Sequence, residues 1–289
     1  MATDQGPVVQ SALLRNDLIR LRKEMALTQE MVARELEWSA SKLIRVEGGR
    51  SSITKTDLDA LLTHYRVTSE KQRERLQTLN RGARDPGWWS KYKDEISGPY
   101  LSFVGYEAGA AFIRQYHGAV VPGLLQTAEY AEVLTVRGVD PMRVAPVVKL
   151  RMERQAELAK REHPPRQHYV LDEAVIRRHV GVKKDPSIMP GQLRHIVDTV
   201  ERDDRITLRV IPFSAGAHAG MTGPFILLEF DGDLPDVLHL ERRGEIDNLI
   251  TGDDPQIAEC ADAFESLIQE AMSVDDSLEF IRSVAEEMS

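Results

Sequence analysis

Two helix starts follow each other closely in LTQEMVARELEWSASKLIRVEGG, residues 27–49. Thr28 and Ser39 are both N-cap residue types, because a side-chain hydroxyl oxygen can accept from the free N–H groups of a first helical turn. Gly48 and Gly49 predict the end of the second helix. Two helices this short cannot bury enough surface to be stable alone. We therefore expect a preceding and a following helix to hold them.

Apolar residues recur at helical spacing on both sides of this pair. They are Leu14, Leu18, Leu21 and Met25 in the preceding helix, and Leu58, Leu61, Leu62 and Tyr65 in the following one. A fifth, strongly polar helix starts at Thr68 or Ser69 and ends near Gly82. Residues 1–83 therefore predict a mainly α domain of five helices.

A helix, a tight turn and a second short helix form the helix-turn-helix arrangement, whose second helix enters the major groove of DNA. In the second helix Leu43 and Val46 point inward by their spacing. The residues left on the outside are Ala40, Ser41, Lys42, Ile44 and Arg45. We assign base reading to Ala40 against a thymine methyl group, to Ser41 on several base edges, and to Arg45 on guanine.

Four residues are assigned to DNA phosphates. Thr28 and Gln29 lie at the start of the first helix of the pair, where the positive pole of a helix favours an anion. Lys42 and Arg50 supply positive charges that fix the register without reading sequence. The alternative interpretation is a solvated helix surface that carries small polar residues.

The charge distribution agrees with a DNA-binding first domain. The whole chain has a formal net charge of −9, but residues 1–85 hold 15 basic and 12 acidic residues, a net charge of +3. The remainder carries −12. Such asymmetry is expected when one part of a chain meets a polyanion and the other does not. The acidic part would repel DNA and confine contact to the first domain.

The segment RDPGWWSKYKDEISGPY, residues 84–100, combines Gly, Pro and charges without a hydrophobic period and predicts a linker. Residues 101–289 predict a larger α+β domain. Residues 107–138 indicate two helices separated by a turn at Pro122-Gly123. Strand-like runs follow at RQHYVL, RITLRVIP, PFILLEF and DVLHLE, and two amphipathic helices end the sequence.

Four residues of this domain are candidates for binding a ligand or a partner. Arg151, Arg154 and Gln155 share or neighbour one helical face and could receive an anion or a partner carboxylate. An internal salt-bridge network is the alternative. His218, in the loop GAHAG of residues 216–220, could line a cleft or an interface.

Several functional classes are not supported by the sequence. It contains no GxSxG, Walker or HExxH motif, so we expect no enzyme. The single cysteine, Cys260, excludes an internal disulfide, and we expect no cofactor and no metal. No apolar run approaches the roughly 18 residues that a membrane span needs, and the first residues lack a secretory-signal pattern. We therefore expect a cytoplasmic protein without membrane contact.

The stretch LRKEMALTQEMVARELEWSASKLIRVEGGRSSIT, residues 21–54, resembles the helix-turn-helix domain of the Cro/repressor, or xenobiotic-response-element, family. The resemblance implies base reading by Ala40, Ser41 and Arg45. Trp38 departs from the Gly or aliphatic residues that are commoner around the turn in that family.

The strings VPGLLQTAEYA (residues 121–131), RMERQ (151–155) and RVIPFSAGAHAGMTGPFILLEF (209–230) resemble a domain of uncharacterised function in actinobacterial regulators. That domain follows a Cro/repressor-type reader, and such proteins are also described as Scr1-family antitoxin-like regulators. The resemblance implies a regulator that is often paired with a small protein encoded by a neighbouring gene. It implies no ligand and no catalytic residues.

We expect a transcriptional regulator that binds a double-stranded operator and whose C-terminal domain dimerises and receives a protein or small-molecule signal. One short recognition helix reads few base pairs, so proteins of this kind usually bind two half-sites as a homodimer. The alternative function is an antitoxin-like module that binds a small partner protein and autoregulates its own operon.

Overall fold

A computed structural model describes residues 6–241 and 248–289. The chain divides into two compact units. The first extends to Ser90 and includes Asp231–Leu234, and the second consists of Lys91–Phe230 and Pro235–Ser289. The division therefore falls within the segment 84–100, whose composition is that of a linker.

The first unit is helical, as the hydrophobic spacing predicts. Its helices are α1 (Gly6–Glu24), α2 (Gln29–Glu35), α3 (Ala40–Glu47), α4 (Lys55–His64) and α5 (Glu70–Gly82). The side chains of Thr28, Thr54 and Ser69 cap α2, α4 and α5. Leu58 and Leu61 are fully buried, and burial of such a side chain contributes about 1.5–3 kcal/mol. The predicted five-helix domain is confirmed.

The second unit is an α+β domain built on one six-stranded sheet, which confirms the predicted class. Its strands are β1 (Phe112–His117), β2 (Arg166–Asp172), β3 (Ile206–Ile211), β4 (Phe225–Glu229), β5 (Val237–Leu240) and β6 (Asn248–Thr251). Its helices are α6 (Gly98–Glu107), α7 (Ala128–Thr135), α8 (Pro141–Ala159), α9 (Glu173–Arg177), α10 (Ile188–Arg202), α11 (Pro255–Glu270) and α12 (Val274–Glu287).

The strand order is β3-β2-β1-β4-β5-β6. Strands β1, β2 and β3 are parallel, whereas β4, β5 and β6 each pair antiparallel with the strand before them in this order. From β1 the chain thus moves outward to β3 and returns to the other side of β1 with β4. The carboxyl ends of the three parallel strands share one sheet edge with the amino end of β4, because Tyr116 pairs with Phe225.

A hydrophobic core lies between the sheet and α11. Phe264 and Leu267 of α11 are fully buried against Tyr116, Phe225 and Leu227 of the sheet. Phe225–Leu228 is buried at every position, so both faces of the sheet are covered at β4.

One part of the expected secondary structure is wrong. Residues 107–138 were expected to form two helices, but 112–117 form β1, which lies between β2 and β4. The Ala-rich residues before β1 favour a helix locally, and pairing with two strands distant in the chain overrides that preference. Strand β6 also had no counterpart among the strand-like runs.

Candidate functional site

The turn between α2 and α3 is set by backbone geometry. Glu37 has a left-handed φ of 57°. The N–H of Trp38 donates to the carbonyl of Ala33 at 2.7 Å, and the N–H of Glu37 donates to the carbonyl of Arg34 at 3.2 Å. These two bonds form the Schellman ending of a helix. They satisfy the last carbonyls of α2 and turn the chain so that α3 can start at Ala40.

Helix α3 buries one side and exposes the other. Leu43 is fully buried and Val46 is 4% exposed, as their spacing predicts. Ser41, Ile44 and Arg45 are exposed. The structure thus places most of the predicted reading surface on the outside of α3.

The three predicted base readers differ in their surroundings. Ala40 is half-buried as the first residue of α3, and the hydroxyl oxygens of Ser41 and Ser39 lie 3.2 Å apart. Ser39 takes the N-cap position, but its side chain makes no capping hydrogen bond. The Arg45 side chain has no hydrogen bond or ion pair to any residue in the described ranges, so its guanidinium group is available to an external acceptor.

Lys42 has intramolecular partners. Its Nζ atom lies 2.7 Å from Asp57 Oδ1 and 3.9 Å from the centroid of the Trp38 ring. Burial raises the pKa of Asp57, but hydrogen bonds from Lys42 and Thr54 more than offset that rise and leave the pKa below its ordinary value. A DNA phosphate would compete with Asp57 for Lys42. Breaking a partly exposed pair of this kind costs about 0–1 kcal/mol.

The start of α2 holds the other two predicted phosphate ligands of the helix pair. Thr28 Oγ1 accepts from the N–H of Met31 at 3.2 Å, as expected of an N-cap. The Gln29 amide instead donates to Glu47 Oε2 at 2.7 Å. A phosphate contact by Gln29 would therefore use its backbone N–H, since the first N–H groups of a helix have no helical partner. Arg50, the fourth predicted phosphate ligand, is exposed just after α3.

A buried ion pair joins the first three helices, and sequence reasoning missed it. Glu47 of α3 is 7% exposed and accepts from Arg22 Nε and Nη2 of α1, both at 2.8 Å. Gln29 of α2 donates to the same carboxylate. The hydrogen bond to Glu47 raises the pKa of Arg22. The only sequence signal is a glutamate directly after the buried Val46, at the end of an amphipathic helix.

The structure brings Arg151 and Gln155 together on α8, where they contact the chain's own loop. The Gln155 amide donates to the carbonyls of Gly123 and Gln126, both at 2.9 Å. Arg151 Nη1 donates to Gln126 Oε1 at 3.1 Å. These contacts are hydrogen bonds to uncharged groups, and they hold the 122–126 segment.

Arg154 is buried beside the same loop. Its Nε lies 2.8 Å from Glu107 Oε2 in an ion pair, and its Nη1 donates to the Tyr100 hydroxyl at 2.6 Å. A Cβ atom at Gly123 would lie 2.7 Å from Arg154 Nη2, so a larger residue there would require the guanidinium group to shift. Binding of a ligand or partner by the three α8 residues stays a prediction, and it would have to displace these contacts.

His218 lies at a different place, next to the carboxyl end of β2. Its Nε2 is 3.3 Å from Asp172 Oδ2, and its side chain is 5% exposed. It lines an open pocket together with Tyr116 and Asp172. The sequence prediction that the loop of residues 216–220 lines a cleft therefore has a structural counterpart.

Residues 6–241 and 248–289 contain neither a candidate metal site nor a helix that could span a membrane. No group of three or more His, Cys, Asp and Glu residues there is arranged to hold a metal ion. None of the helices in these ranges combines the length and apolar character that crossing a bilayer requires.

Comparison with known families agrees with this division of the chain. Residues 14–76 match a family model described as a helix-turn-helix domain, and these residues include all of α2, α3 and α4. Residues 100–283, more than half of the chain, match the domain of unknown function DUF5753. No curated protein and no solved structure matches. The chain therefore belongs to the DUF5753 family and carries a helix-turn-helix domain before its DUF5753 domain.

Proposed function

We propose that the protein is a sequence-specific DNA-binding transcriptional regulator of the Cro/repressor type, with α3 as its recognition helix. The observation that carries this proposal is the exposed Arg45 on α3, whose side chain makes no hydrogen bond or ion pair with any residue in the described ranges. An arginine in this position can bind the O6 and N7 atoms of guanine. Ser41 and Ala40 precede it on the same helix and complete the proposed reading surface.

The charges support this assignment. Residues 1–85 carry a net charge of +3, and the remainder of the chain carries −12. Arg50 is exposed directly after α3 and is proposed to bind a phosphate together with Lys42 and the start of α2. Because phosphate contacts release counterions, DNA binding should weaken as salt is raised.

Replacing Arg45 by alanine is expected to weaken binding to the protein's own promoter by about 1–3 kcal/mol and to reduce sequence preference. The measurement is a binding titration of promoter and scrambled DNA across a salt series. Arg81→Ala is the matched control, because Arg81 is an exposed arginine of α5 that donates to Thr78. Equal losses in the two variants, or unchanged preference in Arg45→Ala, would contradict base reading by Arg45.

We further propose that the protein acts as a cytoplasmic homodimer, with dimerisation and signal reception in the C-terminal unit. A single α3 spans few base pairs, and two copies would read two half-sites about 34 Å apart. Footprinting on the promoter should then protect two half-sites separated by about one DNA turn, about 10 base pairs. Undiminished affinity for DNA that contains only one half-site would contradict the dimer.

The second candidate function is an antitoxin-like module that binds a small protein from a neighbouring gene. The resemblance to Scr1-family actinobacterial regulators supports it. Two large apolar side chains, Val136 at the end of α7 and Met142 in the first turn of α8, are also 56% and 88% exposed and so are available to a partner. Co-expression with the neighbouring small protein tests it, and separate elution of the two proteins would count against it.

A further inference from the structure

A pocket of about 460 Å³ opens at the sheet edge where the parallel strands end. Its lining comes from the ends of β1 and β2, the residues after β3 and the residues before β4, and includes Tyr116, Asp172, Phe213 and Pro224. In open sheets, ligands bind outside the carboxyl ends of the strands, where the strand order reverses. Here that reversal lies between β1 and β4. The volume falls within the roughly 300–1,000 Å³ of small-molecule sites.

A glycine-containing loop places His218 at this pocket. A Cβ atom at Gly220 would lie 2.2 Å from Tyr116 Cζ, so only glycine allows the loop to rest on the tyrosine ring. Gly216 has a φ of 73°, which also favours glycine. The His218 ring lies edge-on to Tyr116, with 5.9 Å between ring centroids.

His218 has a buried polar atom without a hydrogen-bond partner. Its side chain is 5% exposed, and its Nδ1 has no hydrogen-bond partner in the described part of the chain. Asp172 is fixed on the other side of the ring, since its Oδ1 accepts from the N–H of Ala174 at 2.7 Å. The carboxylate can only accept, so Nε2 carries a proton, and in the neutral form of the ring this leaves Nδ1 as the acceptor. Buried acceptors normally have a hydrogen-bond donor as a partner.

The other residues that line the pocket determine which ligand charge and polarity it favours. Asp172 is acidic, and no lysine or arginine of the described residues lines the pocket, so the pocket disfavours an anion. Phe213 and Met221 also line it and are 59% and 71% exposed. Large apolar side chains left in water beside a pocket mark a surface that an apolar ligand can cover.

We propose that this pocket binds an uncharged or cationic small molecule with an apolar ring, whose N–H or O–H group donates to His218 Nδ1. Phe213 and Met221 contact the apolar part of the ligand. The inference rests on the proposed function only in naming this site as the one that receives the signal. Binding itself requires no DNA.

The test is an NMR titration of the whole chain, without DNA, using three probes that share an indole ring. Tryptamine is cationic, tryptophol is uncharged and indole-3-acetate is anionic. We expect the first two to bind with dissociation constants on the order of 1 mM, and the third to bind about tenfold more weakly because of Asp172. Absence of binding by the first two, or preference for indole-3-acetate, overturns the proposal.

Two pocket variants and one control variant test whether the probes bind in this pocket. His218→Gln keeps a donor that can reach Asp172 but lacks Nδ1, and it should weaken tryptophol binding about five- to tenfold. Phe213→Ala, at an exposed position that does not threaten folding, should weaken it severalfold. His163→Gln is the control at an exposed histidine outside the pocket. Binding that is unchanged in both pocket variants overturns the proposal. Failure of the wild-type protein to bind its promoter would contradict the proposed function instead.

Discussion

Replacing Glu47 by alanine is expected to destabilise the helix-turn-helix domain by about 3–5 kcal/mol. The Glu47 side chain is 3% exposed and pairs with Arg22, which is 13% exposed. Without the carboxylate, the Arg22 charge stays largely buried with no counterion, and Gln29 loses its acceptor. A buried charge without a partner costs far more than the intact pair contributes.

Hydrogen exchange of the whole chain measures this effect, because the amides of α2 and α3 report opening of their own domain. Their protection should fall by roughly 150- to 5,000-fold in Glu47→Ala. The control is Glu24→Ala, which removes an exposed 2.8 Å pair with Arg20 and should cost less than about 1 kcal/mol. Similar losses in the two variants would show that burial of Glu47 does not matter.

The Glu47 variant also separates two ways of losing DNA binding. Glu47 of α3 is hydrogen-bonded to both α1 and α2, so its removal should disturb the position of α3. We expect Glu47→Ala to lose both stability and DNA binding. Arg45→Ala should lower DNA binding and leave hydrogen exchange of α3 unchanged, because Arg45 is exposed and its side chain makes no hydrogen bond or ion pair within the described ranges.

Local signals explain why the α2–α3 pair could be predicted. Thr28 caps its helix as its type indicates, and Leu43 and Val46 are buried as their spacing requires. The Arg22–Glu47 pair lies beyond such signals, because its members are 25 residues apart and each also fits a solvated helix face. The exposed face of α3 was therefore easier to predict from the sequence than the buried pair that positions this helix.

In the second unit, too, structure that depends on residues far apart in the chain could not be predicted from local signals. β1 contains the polar residues Arg114 and Gln115 in a short run, so its own pattern is weak. Its place in the sheet depends on β2 and β4, which come much later in the chain. The pocket at His218 exists because that topology brings three strand ends together. In the sequence of residues 216–220, only the glycines and His218 indicated a possible site.

Replacing Arg154 by methionine is expected to destabilise the second unit by about 3–5 kcal/mol. Arg154 is 6% exposed and Glu107 is 1% exposed, and they form an ion pair inside the unit. Arg151→Met is the matched control on the same helix. Arg151 is half-buried and donates one hydrogen bond to Gln126, so its loss should cost only about 0.5–1.5 kcal/mol. Hydrogen exchange of the β1 and β2 amides measures both effects.

The Arg154 variant should also acquire a characteristic pH dependence. Burial raises the pKa of Glu107, and Arg154 opposes that rise. Without Arg154, the folded-state pKa lies further above the unfolded-state value near 4.5. The variant therefore loses stability as pH rises above that value and recovers it on acidification. The difference in the free energy of unfolding between wild type and the variant should be larger at about pH 8 than at about pH 5. Hydrogen exchange measures this difference after correction for intrinsic exchange rates.

The double variant Arg154→Met with Glu107→Gln separates charge from packing. Glutamine has nearly the shape of glutamate but no carboxyl group to ionise, so the double variant should not lose stability through this site as pH rises from about 5 to about 8, and it should be more stable than Arg154→Met at about pH 8. If the loss of stability in Arg154→Met did not depend on pH, the buried charge of Glu107 could not be its cause. Loss of a bound partner without loss of stability would instead favour a binding role for Arg154.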